Sequence, residues 1–444
     1  MKIAMLTNNY KPFVGGVPIS VERQAQELVK LGHEVTVFAP EYGETAGNAK
    51  ENGSVAETGE RIIRFRTGHR CMENGMVYPK MFPKEILHTF ECESFDLIHT
   101  HHPMFVGPVA LYLGRKYHLP IVYTYHTRYE DYLHYLNFLK EDGRVPTIKK
   151  GILTLGKKVA VPNYMRWFTN QCDLVLAPTA GMQKRIRENG TRVPMAVFPT
   201  GLKDEFFQKC PQKATQIRQK YSPIQEYNEK RSEENSYLFC TTGRLEEEKN
   251  PRFLLKGIRK LKQSLDKPFR VLLIGDGSMR QELEQETIHL GIEQEVCFAG
   301  NVPNDEINSY LQACDLFLFS SKSETQGIVL AEALAAGLPV VAVDSSGVED
   351  IVVNGVNGYR TADDVEDWVQ KVGMALKNRQ KMSGQAELTA AGYRASRLAE
   401  YEQLLYGQCV EETCRNCEEV MEYENETGGG ENPSETILRL FKTS

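Results

Sequence analysis

Apolar and polar positions along this chain follow two periods that take turns. Short runs dominated by apolar residues, KIAMLTN (2–8), EVTVFAP (34–40), LIHTHH (97–102), PIVYTYH (120–126) and LVLAPT (174–179), have strand length and predict buried strands. Between them lie segments such as VPISVERQAQELVKL (17–31), whose apolar residues recur at helical spacing. Strands alternating with helices predict a parallel sheet wrapped on both faces. The pattern pauses over 203–235, which is polar and has no strand signal. It restarts with YLFCTTGRL (237–245), RVLLIGDG (270–277), VCFAG (296–300), LFLFS (316–320) and PVVAV (339–343). The expectation is an α/β chain of two doubly wound, Rossmann-like domains, 1–202 and 203–384. Ligands of such sheets bind outside the carboxyl ends of the strands, so a cleft between the two domains is the expected site. Residues 385–407 have helix-forming composition, and 408–444, acidic and Gly-rich, read as a disordered tail.

Composition narrows the class. The 444 residues exceed one ordinary core, and 41% hydrophobic with 25% charged residues is the profile of a globular protein in water. MKIAMLTNNYKP has too short an apolar run for a signal peptide, and no run approaches the ~20 apolar residues that span a bilayer. Ten scattered cysteines then read as reduced thiols. The expected location is cytoplasmic, with any membrane contact peripheral. The net charge of −6 hides an asymmetry: 409–435 hold nine Glu and one Arg, a net of −8, leaving +2 elsewhere. Within 140–170, seven basic residues face two acids, a net of +5.

Candidate chemistry concentrates in SSKSETQGIVLAEALAAGLPVVAV (320–343). Glu324 precedes a helix start and Glu332 lies inside that helix. A helix N-terminus suits phosphate, and Gly327 would let one approach the backbone closely. Arg244 and Lys249, just after the first strand of the same domain, suit a diphosphate. The competing reading pairs them with Glu246–Glu248 on the surface. Beside a phosphate, bare carboxylates repel, so their use is to accept hydroxyl hydrogen bonds. One acid on a ribose and one on a second sugar would suit a nucleotide sugar. A solvated helix face is the bland reading of Glu332, but GIVLAEALAAG is almost wholly apolar, so the helix is expected to be buried.

With these residues the chain resembles the retaining glycosyltransferases of family 4, which have the two-Rossmann GT-B fold. Glu324 and Glu332 match that family's E-x7-E motif, Arg244 and Lys249 its phosphate pair, and Gly15-Gly16 its N-terminal glycine loop. His126, in TYHTRYEDYLHY, matches the histidine that faces the donor sugar. The resemblance covers about 1–405. The spellings SETQG and TYHTRYEDYLHY look like bacterial diacylglycerol glucosyltransferases. The resemblance implies that Glu324, with the backbone of Gln326, Gly327 and Ile328, holds the donor sugar and β-phosphate, and that Glu332 holds the ribose. It also implies a metal-independent, front-side retaining mechanism without cofactor or enzyme nucleophile.

Other signals carry less. IGDGSMR (274–280) lacks the third glycine of a dinucleotide fingerprint and reads as a tight turn. His99, His101 and His102 have no nearby Cys, so packing or cleft lining is expected over zinc. Cys409, Cys414 and Cys417 are too few for a zinc site. VPTIKKGILTLGKKVAVPNYMRWF (145–168) reads as an amphipathic helix with Ile148, Ile152, Leu155 and Val159 on one arc and Lys149, Lys150, Lys157 and Lys158 on the other. Pro162 predicts a kink or break. Such a helix suits an anionic membrane surface; an ordinary surface helix docked on the N-terminal sheet is the alternative. Nucleic acid is not expected as a partner.

Three function classes follow. The first moves a hexose, glucose by resemblance, from a UDP-sugar to a membrane lipid such as 1,2-diacylglycerol, at the inner face of the cell membrane. The second is a soluble family 4 transferase with a small polar or polysaccharide acceptor. The third, a glycosidase or phosphorylase, is disfavoured: a retaining hydrolase needs two carboxyls about 5–5.5 Å apart at the sugar, and Glu332 is assigned to the ribose.

Overall fold

The computed structural model of the chain describes residues 1–13, 15–42, 53, 55–71, 77–80, 82–127, 159–223, 236–322, 324 and 326–427. In chain order the first half gives β1 (Lys2–Leu6), α1 (Gly16–Lys30), β2 (Glu34–Pro40), β3 (Arg61–Phe65), β4 (Thr67–Cys71), β5 (Val77–Pro79), α2 (Lys84–Cys92), β6 (Leu97–Thr100), α3 (Val106–Tyr117), β7 (Ile121–Thr124), α4 (Val161–Thr169), β8 (Leu174–Ala177), α5 (Ala180–Glu188) and β9 (Met195–Val197). The second half gives α6 (Pro211–Tyr221), β10 (Tyr237–Thr242), α7 (Pro251–Ser264), β11 (Phe269–Ile274), α8 (Arg280–Leu290), β12 (Val296–Gly300), α9 (Ile307–Gln312) and β13 (Leu316–Phe319). It closes with α10 (Ile328–Ala335), β14 (Val340–Val343), β15 (Gly358–Thr361), α11 (Val365–Ala390) and α12 (Ala395–Thr427).

The first sheet has the order β3-β2-β1-β6-β7-β8-β9 and the second β12-β11-β10-β13-β14-β15. The pairings from β3 through β8 and from β12 through β15 are parallel. Each sheet is wound outward from its first strand, so the strand order reverses beside β1 in one and beside β10 in the other. That reversal opens a crevice at the carboxyl ends, where ligands of such sheets sit. The chain falls into two compact units: Met1–Leu176 and Ile186–Ala196 with the helix from Ala399, and Ala177–Arg185 with Val197–Leu398. No helix of the described residues is long and apolar enough to cross a membrane.

The period of two builds both faces of the second sheet. Leu238, Cys240, Leu272, Ile274, Phe317, Phe319, Val340 and Ala342 enter one core with α10. Their neighbours Phe239, Val271, Leu273, Leu316, Leu318, Val341 and Val343 enter the other, with Trp368 of α11. Strands buried on both faces have no polar alternation, which is why they read as unbroken apolar runs.

Three features depart from the sequence expectation. Strands β3, β4, β5, β9 and β15 appear where no strand was expected: RIIRF and GYRT are short and carry arginines. The helix expected over 385–407 is two helices. Residues 391–393 tighten into a 3-10 turn and Arg394 is extended, so that Tyr393 O accepts from Leu202 N (2.7 Å) and Ala395 N donates to Leu202 O (2.8 Å). The tail expected to be disordered from 408 is helical to Thr427. Its many Glu residues, read as a charge run, are also good helix formers. Pro162 occupies the first turn of α4, where its missing N–H costs nothing. Lys149, Lys150, Lys157 and Lys158 lie outside the described residues.

Candidate active site

In the second unit, β10 and β13 end side by side, and the segments that leave them are tied together. Ser320 Oγ donates to Lys249 O (2.9 Å), and Ser321 Oγ donates to Glu248 O (3.3 Å). Thr242, Gly243, Arg244, Lys249, Phe319, Ser320 and Ser321 line a cleft at this point. Lys249 Nζ donates to Glu324 Oε1 at 2.5 Å, with the two side chains 28% and 14% exposed. Arg244 pairs with Glu248 at 2.9 Å and is largely exposed. The surface pairing considered for both cations therefore holds for Arg244 and fails for Lys249, whose partner is the acid of the E-x7-E pair.

The loop carrying Glu324 is held from several sides. Gly327 takes φ 71° and ψ 48° and opens α10, a left-handed conformation that favours glycine. Gly347, at φ +84°, packs beneath the loop, where an added Cβ would lie 3.2 Å from the Cβ of Glu324. Gln326 uses its side chain on the backbone of Thr200, accepting from N at 2.8 Å and donating to O at 3.2 Å. Its amide is thus committed to the fold, and the backbone from Gln326 to Ile328 is what remains for a ligand. Glu332 is 8% exposed, buried as the apolar setting of α10 predicts. IGDGSMR forms a turn against the residues after β10: Leu245 N donates to Asp276 O and Met279 N to Leu245 O.

This arrangement matches cations to anions before any ligand arrives. A diphosphate placed at the cleft would draw on Lys249, Arg244 and the free N–H groups of α10. Among the described residues no group of three or more His, Cys, Asp and Glu side chains could hold a metal ion.

In the first unit the histidines form a cluster at the ends of β6 and β7. His126 is half-buried, and its Nε2 lies 2.9 Å from His101 Nδ1 with the rings stacked at 5.2 Å. The rings of His99 and His101 are 4.1 Å apart. His102 turns away, its Nδ1 accepting from Asn8 N at 3.1 Å, as strand alternation predicts. Burial holds His102 and His126 down at about 3, and depresses His99 and His101 as well. All four are neutral near pH 7. Gly16 begins α1, whose first turn carries no acid, and a side chain there would meet nothing within 4 Å. Two residues of this cluster were not singled out in the sequence. Glu402 and Tyr406 of α12 are fully buried against His99, and as an i, i+4 pair they read only as helix formers. In the same helix Cys409 is buried and Cys414 exposed, which sets them on different faces.

Comparison with known proteins agrees with this layout. Residues 14–206 match the model of Glycosyltransferase Family 4, and 224–393 match that of Glycosyl transferases group 1. An alpha-monoglucosyldiacylglycerol synthase of Streptococcus pneumoniae is 26% identical over 350 residues, covering 77% of this chain and 71% of that protein. One of Acholeplasma laidlawii is 25% identical over 363 residues, covering 81% and 84%. The crystal structure of the Anabaena protein HepE in complex with UDP and glucose superposes with a TM-score of 0.65 at 19% identity, covering 92% of this chain and all of that one.

Proposed function

This chain belongs to the family 4 glycosyltransferases of GT-B fold, and from that premise we propose that it moves a hexose from a UDP-sugar to a membrane lipid acceptor with retention of configuration. The observation that carries the reading is the Lys249–Glu324 pair at the crevice of the second sheet, beside the N-terminus of α10. In this reading Lys249, Arg244 and the α10 amides receive the diphosphate, Glu324 takes sugar hydroxyls, and Glu332 takes the ribose. The counter-charge to the departing diphosphate comes from these groups. The bond from the anomeric carbon to the phosphate oxygen breaks as the acceptor oxygen bonds to the same face. The acceptor proton passes to the departing phosphate. His126, neutral at working pH, is the histidine that the family resemblance assigns to the hexose.

A lipid acceptor, 1,2-diacylglycerol in the first instance, is supported by the two relatives named as glucosyldiacylglycerol synthases. It is also supported by a surface depression in the first unit lined by Leu111, Tyr112, Arg115, Lys116 and Trp167. Tyr112 and Trp167 are exposed there beside two cations, a composition that suits a head-group surface. The quartet Lys149, Lys150, Lys157 and Lys158 adds an anionic-membrane contact to the proposal. The test is a screen of UDP-hexoses against diacylglycerol vesicles and against soluble sugars. Product only in the lipid phase supports the reading. Product only on soluble sugars replaces it with a polar-acceptor transferase.

A further inference from the structure

We propose that Glu402 and Tyr406, on the final helix, are positioning residues that fix the tautomer and orientation of His99, the platform against which the His101–His126 pair packs. The proposal rests on the assignment of His126 to the donor sugar and names what holds it there. Tyr406 Oη lies 2.6 Å from His99 Nδ1 and 2.7 Å from Glu402 Oε1. The other nitrogen of His99, Nε2, lies 2.7 Å from Thr124 Oγ1. Both edges of that ring are therefore held, and it forms the platform for His101, whose Nδ1 bonds His126. No member of this set is provided by α12 except Glu402 and Tyr406.

The hydrogen bonds can run in two directions, and Glu402 selects between them. Its Oε2 is buried without a partner, so a proton on the acid is hydrogen-bonded only at Oε1. A neutral Glu402 then donates to Tyr406, Tyr406 donates to His99 Nδ1, and His99 carries its proton on Nε2 toward Thr124. An ionised Glu402 reverses every bond and places the His99 proton on Nδ1. Burial pushes Glu402 up to about 8, so both forms lie within reach of ordinary pH. The ionisable groups around the pair are His99 on β6, with His101 and His126 beyond it. Cys409 lies on the same helix, with Asp173 and Glu412 further out.

The other end of the stack has one favoured arrangement. His101 Nε2 is buried without a partner, and a bare lone pair is tolerated better there than an orphan N–H. His101 therefore donates from Nδ1 to His126 Nε2, and neutral His126 keeps its proton on Nδ1. The free edge of His126 is thus a hydrogen-bond donor, which suits a hydroxyl oxygen.

The test uses the full chain labelled with 15N-histidine. Long-range proton–nitrogen spectra report each tautomer without reference to activity. In the parent, His99 should pass from Nε2–H to Nδ1–H as pH rises through about 8. Tyr406→Phe should leave His99 in mixed tautomers and lower kcat by about tenfold. The KM for the UDP-sugar and the affinity for UDP should stay at parent values. Glu402→Gln, which imitates the neutral acid, should keep His99 as Nε2–H from pH 6 to 9 and retain transfer at neutral pH. It also serves if the phenylalanine variant does not fold. Parent-like histidine spectra in both variants would overturn the proposal. His126→Ala separates the two ideas: full transfer with that variant removes His126 from the sugar site, whereas the histidine spectra still decide the positioning role.

Discussion

Lys249 and Glu324 are 75 positions apart in the chain, and their charged atoms are 2.5 Å apart in space. The pair is mostly shielded from water, so it is weakly screened by salt. In the proposed reading, a diphosphate would compete with Glu324 for the same ammonium. Lys249→Met should therefore weaken UDP binding by about 1.5–3 kcal/mol, roughly ten- to a hundredfold, the worth of a hydrogen bond to a charged group. Glu324→Gln frees the ammonium and should leave UDP affinity equal or tighter while abolishing sugar transfer. Calorimetry with UDP, alongside a transfer assay, checks both. Loss of UDP binding in Glu324→Gln would put Glu324 at the nucleotide and not at the sugar.

Glu332 is buried in an apolar helix, where its isostere is tolerated by shape. Glu332→Gln should preserve the thermal melt and weaken UDP. It should also reduce the preference for UDP over an analogue lacking the ribose hydroxyls. If the folded variant binds UDP as the parent does, the ribose role is wrong.

The pH dependence of stability has two limbs of opposite sign. Glu402 is raised from 4.5 to about 8 in the folded chain, so the folded state binds more protons between those values. Stability therefore falls as pH rises from about 4.5 to 8, by at most about 1.4 kcal/mol per pH unit. His102 and His126 are lowered from 6.5 to about 3, so the unfolded chain binds more protons there and stability falls as pH drops below 6.5. Glu402→Gln removes the first limb alone. Thermal melts from pH 5 to 8.5 should show the parent losing ground to this variant as pH rises. A constant difference across the series would contradict the buried acid.

Membrane attachment is carried in this account by charge. Replacing Lys149, Lys150, Lys157 and Lys158 with Gln removes up to ~4 kcal/mol of attraction to anionic lipid, at ~1 kcal/mol per residue. Flotation with anionic vesicles should show the loss most clearly at low salt, where the native attraction is strongest. UDP binding should be unchanged. Parent-like flotation would move the contact elsewhere, with the Tyr112 and Trp167 surface the next to be altered.

What the sequence disclosed follows from the reach of its signals. Strands β1, β2, β10, β11 and β13 are central and buried on both faces, so their apolar runs announce them. β3, β9 and β15 lie at sheet edges; β3 and β15 are interrupted by arginine or glycine and β9 is only three residues long, so no run marks them. Residue types at the site were legible, because an acid before a glycine-opened helix and a basic pair after a strand are local patterns. The Arg244–Glu248 pair was legible too, since it spans four positions and lies within the surface pairing the sequence offered, whereas the meeting of Lys249 with Glu324 depends on how two strand ends lie together. The commitment of the Gln326 amide to Thr200 crosses 126 positions, and the contact of Tyr406 with His99 crosses 307. No spacing in the sequence encodes such contacts. The break at 391–394 has the same origin, since it serves Leu202.

The most direct test of the central claim is the anomeric configuration of the product. The parent protein would be incubated with a UDP-α-hexose and diacylglycerol vesicles, the lipid phase extracted, and the new glycoside examined by proton NMR. The account predicts an α-linked glycolipid, absent with Glu324→Gln and formed by Glu402→Gln. A β-linked product, or hexose appearing only on water-soluble acceptors, would contradict it.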